Sequence, residues 1–148
     1  MADFSDSDTY QFIMNIELFR EYCLKKKGTT EELPFGPETL VYKVMGKLFA
    51  LSGIESVPGS CNLKCDPGYA EELREKHAAI IPGYHMNKKH WNTIIWDGSV
   101  SDKLILELID HSYNLVAGGL PLKLRNELSE GATRIKQRKK MTKPAWEK

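Results

Sequence analysis

The chain has no apolar run near the roughly 18 residues of a membrane span, no glycine-rich phosphate cradle and no histidine pair at metal-ligand spacing. The first absence sets helical membrane proteins aside. The other two leave no sign of a nucleotide-dependent enzyme, a bound cofactor or a metal centre. Cysteine is scarce: Cys23, Cys61 and Cys65 make an odd number, which argues against a disulfide framework and for a reducing compartment. Cys61 and Cys65 lie in SCNLKC, which alternates like a strand. Four strand residues set their Cα atoms about 13 Å apart, too far for a disulfide or a shared metal ion. The N-terminus carries Asp3, Asp6 and Asp8 rather than the cations that open a signal peptide, so a cytoplasmic protein with no membrane partner is expected.

An excess of one charge is also missing, since 21 Lys and Arg against 20 Asp and Glu give a net of +1. The balance hides a division near Gly131. Residues 133–148, TRIKQRKKMTKPAWEK, hold seven cations and Glu147, a net of +6, which leaves residues 1–132 at −5. A body this acidic is a poor general binder of polyanions, so any nucleic-acid contact must come from local patches or from the tail. The division gives the expected domain plan: one α+β domain over residues 1–132 with a short acidic lead, then a basic tail over 133–148 that reads as a solvated terminus. At 148 residues the chain suits one domain that buries about 70% of its unfolded surface.

Periodicity supplies the elements. Ile16, Phe19 and Tyr22 or Cys23 recur at helical spacing from Asn15, with Glu17 and Glu21 early and Lys25 to Lys27 late, and Gly28 stops the helix. Thr39 to Leu51 predicts a hairpin turning at Met45 and Gly46, and Thr29 to Leu33 can supply a short edge strand. A strand around Ser60 to Lys64 leads into a helix capped by Asp66, with Pro67 in its first turn, running to about His77. Ile80 to His85 and Trp91 to Trp96 predict a second antiparallel pair around Met86 to His90. Ser101 caps a helix whose Leu104, Leu108, His111 and Leu115 share a stripe, and Pro121 begins a last short helix. Strands grouped in hairpins and separated by helices imply a two-layer α+β sandwich, an antiparallel five-stranded sheet covered by helices in the order α-β-β-β-α-β-β-α plus a short C-terminal helix.

The segments YKVMGKLFAL, LKCDPGYAEELREKH, PGYHMNKKHWNTIIWDGSV and LIDHSYNLV resemble the successive motifs of the MmcQ/YjbR family, over about Asn15 to Leu128. The resemblance implies a small bacterial protein with a compact α+β fold, and a proposed double-wing DNA-binding role. Carried over to this sequence, one wing is Tyr42 to Phe49 with Lys43 and Lys47, and the other is Tyr84 to Trp91 with His85, Asn87, Lys88, Lys89 and His90.

Those residues, with Trp91, are the candidate nucleic-acid contacts, the partner being DNA or RNA. Lysines neutralise phosphates, Asn87 reads a base edge or shapes a turn, and the aromatics stack on an unpaired base. The plainer alternative is a solvated Asn-Lys-Lys turn with Tyr84, Trp91 and Trp96 packed in or beside the core. Four phosphate contacts by Lys43, Lys47, Lys88 and Lys89 would give a log–log salt slope of about −3.6. Recognition of a protein or peptide, or self-association, is the second expectation, drawn from chaperone-like folds and an exposed sheet. Catalysis ranks last: Cys65 with His77 and His90 with Asp97 are pairs any chain offers, and Asp110-His111-Ser112 is a string of helical neighbours that face different ways. Lys64, Asp66 and Pro67 read as a strand end and helix cap, Cys23 as a small core residue, and Glu71, Glu72, Arg74, Glu75 and Lys76 as a solvated helix face with Glu72 and Lys76 spaced to pair.

Overall fold

The computed structural model describes residues 14–55, 57–83 and 86–130. Helix α1 (Ile16–Leu24) opens the described chain, and the Asn15 side chain accepts from the Leu18 amide at 3.0 Å. It buries Phe19 and Cys23, the stripe its spacing predicts. Gly28, at φ +72°, then turns the chain into β1 (Thr29–Glu32). Strands β2 (Thr39–Val44) and β3 (Lys47–Gly53) form the first hairpin. Its turn is Met45 and Gly46, at φ +48° and +86°, and two positive values in succession are what a tight hairpin turn demands.

Strand β4 (Ser60–Lys64) leads to α2 (Pro67–Lys76), capped by Asp66, whose Oδ2 accepts from the Tyr69 amide at 3.2 Å. Strands β5 (Ile80–Pro82) and β6 (Trp91–Ile95) make the second hairpin, and Ser101 caps α3 (Asp102–Gly118). Residues 122–130 are helical.

All strand pairs are antiparallel, in the order β1-β2-β3-β4-β6-β5. The sheet therefore has six strands rather than the expected five. The added strand is β1, paired from Thr29 with Val44 to Glu32 with Val41. Its sequence, TTEE, is short and charged, so alternation alone does not mark it as part of a sheet. Tyr42, Ala50, Cys61, Leu63 and Ile94 point toward the helices and pack with Phe19, Leu73, Ile105 and Ile109 in one core.

The buried stripe of α3 differs from the expected one. It runs through Ile105, Leu108, Ile109, Ser112 and Val116, whereas Leu115 is exposed and His111 is half-buried. The helix is rotated because Ser112, fully buried, accepts from the Lys64 amide at 2.9 Å and donates to the Phe49 carbonyl. A pattern built on apolar residues passes over a serine that satisfies two backbone groups at once. Tyr113 meets Phe49 edge-on with ring centres 5.3 Å apart, as expected of a residue that seats α3 on the sheet.

The register fixes which loops are neighbours. Val44 pairs with Lys47, Lys64 with Trp91, and Pro82 with Asn92. The Met45–Gly46 turn, the end of β4 and the loop from Gly83 to His90 thus lie at one end of the sheet, the hairpin end.

Candidate nucleic-acid interface

The hairpin centres stand three strand spacings apart, about 14 Å. Each is held in place differently. In the first, the ladder runs up to the turn, and the Met45 amide donates to the Gly28 carbonyl at 3.1 Å. In the second, β5 ends at Pro82 and β6 begins at Trp91, and the described loop residues between them are held by other bonds. Asn87 does part of this: its side-chain oxygen accepts from the Lys89 amide at 2.9 Å, and its carbonyl accepts from the His90 and Trp91 amides. The Gly83 amide donates to the Trp91 carbonyl at 2.8 Å, and Arg74 adds bonds from outside the loop, donating to Asn92 Oδ1 at 2.7 Å and to the carbonyls of Lys88 and Trp91. Arg74 therefore does not belong to a solvated face, as its charged neighbours suggested, but reaches from α2 to the sheet. Glu72 and Lys76 remain exposed and form no ion pair.

The candidate residues separate on this frame. Lys47, Lys88 and Lys89 are exposed at the hairpin end and have no ion-pair partner among the described residues. Asn87 is exposed too, although its carbonyl oxygen is committed to the turn. Lys43 is half-buried and paired with Glu32 at 3.0 Å, so part of its charge is already answered. His90 is half-buried, and its carbonyl takes the Cys65 amide at 2.7 Å. Trp91 is buried, with its Cβ against Gly83, where any added Cβ would come within 2.7 Å. Its burial leaves little of the Trp91 side chain open for stacking on a base. His85, with Tyr84 beside it, and the basic tail over 133–148 lie outside the described residues.

Charge divides between the two ends of the sheet. The hairpin end gathers Lys27, Lys47, Lys64, Lys88 and Lys89 against Asp66, whose carboxylate caps α2. Glu127 lies beside Leu128, which touches Gly28 at this end. The opposite end has Glu17, Glu38, Glu55, Asp97 and Asp102 against Lys76 and Lys103. Sequence reading passed over Lys64 because a lysine at a strand end is ordinary; the pairing of β4 between the hairpins is what gives it importance.

The catalytic pairs do not assemble. His90 precedes β6 and Asp97 follows it, so seven extended residues put them about 23 Å apart. Cys65 and His77 flank the ten residues of α2, about 15 Å of helix. Burial pushes the Cys61 thiol up to about 12 and the Cys65 thiol up to about 11, and Cys23 is raised further, so all three are protonated, inert core residues at neutral pH. Among the described residues no group of three His, Cys, Asp or Glu side chains could hold a metal ion, and no helix is long and apolar enough to cross a membrane.

The family model described as YjbR matches residues 24–115. The chain is 35% identical over 116 residues to the uncharacterized protein YjbR of Escherichia coli strain K12, covering 78% of this chain and 98% of that protein. It is 46% identical over 88 residues to the uncharacterized protein YbdF of Escherichia coli O157:H7, covering 59% and 71%. Among solved structures it is similar to protein DR2400 of Deinococcus radiodurans, with 41% identity, a TM-score of 0.74, and 79% and 89% of the two chains covered. A Pseudomonas syringae protein gives 32% identity and a TM-score of 0.61, covering 70% of this chain and 99% of that one.

Proposed function

The chain belongs to the YjbR family, and from that premise we propose that it binds the phosphate backbone of a nucleic acid through its two hairpin tips, without catalysis. One observation supports the reading: the antiparallel register sets both tips, with Lys47, Lys88 and Lys89 unpaired among the described residues, at the same end of one sheet, while carboxylates collect at the other. A separation of about 14 Å lets the two tips reach separate phosphates of one duplex, which rise about 3.4 Å each along a strand. The contacts are to phosphate, and the binding is therefore indifferent to sequence.

Three phosphate contacts give an expected log–log salt slope of about −2.7 and a dissociation constant on the order of tens of micromolar in low salt. The test is fluorescence anisotropy of a labelled duplex against wild type and the Lys88→Glu, Lys89→Glu double variant. Charge reversal should abolish the low-salt signal. An unchanged isotherm, or no binding by wild type at tens of micromolar, sinks the proposal.

Recognition of a protein is the second reading. Strand addition is disfavoured, since edge strand β1 has only four residues, two of them glutamate, and edge strand β5 has three and ends on Pro82. The observation in its favour lies at the acidic end. Leu33, Phe35, Ile54 and Val57 are exposed there in two loops joined by the Ile54 amide to the Glu38 carbonyl at 2.7 Å. A basic protein segment carrying apolar side chains is the partner that fits. Loss of such a complex in Phe35→Ser, read by light scattering on a sized sample, would support it, and an identical complex would count against it.

A further inference from the structure

Strand β4 stands between the hairpins, and at its end a cleft of about 270 Å³ opens between the sheet and the last turn of α3. Lys47, Leu48, Lys64, Leu115, Val116 and Gly119 line it. We infer that this cleft is a seat for one phosphoryl group, held between Lys47 and Lys64; its use for a nucleic-acid backbone rests on the reading above.

Among the described residues two lysines and no carboxylate line the cleft. Two described lysines have counter-ions: Lys26 meets Asp110 and lies 4.8 Å from the centre of the Tyr22 ring, and Lys43 meets Glu32. Lys47 and Lys64 have neither an ion pair nor a side-chain hydrogen bond among the described residues.

The plain alternative is that they serve the carbonyl end of α3, where cations are favoured. That end is already satisfied. The Gly119 amide donates to the Leu115 and Val116 carbonyls, each at 3.1 Å, and the Leu120 amide donates to Ala117 at 3.3 Å. The helix terminus contributes about half a negative charge against two full positive ones, so the corner favours an anion. Size narrows the class. The volume is below the range of about 300 to 1,000 Å³ typical of pockets that enclose a whole small molecule, yet equals several waters at about 30 Å³ each, room for a phosphoryl group and its remaining hydration.

The seat also completes a row. Lys47 belongs to the first hairpin, Lys64 to the strand between, and Lys88 and Lys89 to the second. The row of about 14 Å matches roughly four phosphates of one strand at 3.4 Å each along the helix axis.

The test uses the whole chain with two probes, inorganic phosphate at low ionic strength and a DNA duplex. Phosphate should shift the amide resonances of Leu48, Lys64 and Gly119 and saturate, with at least fivefold weaker binding in Lys64→Gln and in Lys47→Gln at unchanged thermal unfolding. With duplex, Lys64→Gln should make the salt slope about 0.9 shallower. Saturable phosphate shifts in the cleft without duplex binding in any salt support the seat and end the nucleic-acid reading. Duplex binding that depends on Lys88 and Lys89 but keeps its slope in Lys64→Gln, with no phosphate shifts, ends the seat and leaves the hairpin reading standing.

Discussion

The first hairpin closes with two residues, Met45 and Gly46, and the second with eight, from Gly83 to His90. The short turn needs only a backbone that accepts positive φ, and its flank is held by charge: Arg20 grips Glu31 at 2.7 and 2.9 Å, Tyr42 donates to the same carboxylate at 2.6 Å, and Lys43 meets Glu32. The long loop borrows its order from α2 through Arg74, whose three acceptors are all uncharged. Two tips that present similar lysines at one end of a sheet are thus stabilised by different physics. Each can be loosened separately, while Ser112 ties β3 of the first hairpin to β4, the strand that pairs with β6 of the second.

Ser112 should produce the largest effect. In Ser112→Ala the Phe49 carbonyl on β3 and the Lys64 amide on β4 lose their shared partner in a site closed to water, at a cost of about 2–4 kcal/mol in urea denaturation. Hydrogen exchange should rise in both hairpins together. Loosening of one alone would show that the serine belongs to that hairpin and does not set their relation. Arg74→Met should follow, at about 1–3 kcal/mol, because Asn92 is 2% exposed and keeps no partner for its oxygen, while the carbonyls of Lys88 and Trp91 lie nearer to water. Exchange at the His90 and Trp91 amides should accelerate, with Val44 and Met45 unchanged. Equal acceleration at both tips would mean that the loops are not independent.

These two residues also mark where the sequence could be read and where it could not. The Met45–Gly46 turn and the Asp66 and Ser101 caps are set by neighbours a few residues away and are found where the pattern places them; the second hairpin is found too, although β5 covers only Ile80–Pro82 of the expected Ile80 to His85. Ser112 and Arg74 act on partners 48 and 18 residues distant; an apolar stripe passes over the serine, and the charge of Arg74 argues for solvent. Strand β1 is found at the edge where Thr29 to Leu33 can supply a strand, although TTEE carries no alternation and the five-strand count leaves it out; the Arg20–Glu31–Tyr42 cluster holds it to the sheet. Of the candidate site, the lysines and the turn chemistry of Asn87 were legible. The burial of Trp91, the ion pair that occupies Lys43 and the central position of Lys64 required the strand order.

Acid should give the smallest difference between the hairpins, and the most selective one. Hydrogen bonds from Arg20, and then from Tyr42, hold the Glu31 carboxyl below its ordinary value of 4.5, and Lys43 followed by Thr30 do the same for Glu32. A carboxyl whose value is lowered by folding stabilises the fold fully above its unfolded value, and that contribution drains away as pH falls through the folded one. Between pH 7 and pH 3 the β1–β2 flank of the first hairpin should therefore lose protection, while Arg74 keeps its neutral acceptors throughout. Both groups are largely solvated, so the loss is modest and high salt should reduce it further. The measurement is amide exchange at Glu31, Glu32 and Tyr42 against His90 and Trp91, each corrected for its intrinsic rate. Acid that opens the second loop first, or a first hairpin as protected at pH 3 as at pH 7, would overturn the assignment of charge to one hairpin and neutral hydrogen bonds to the other.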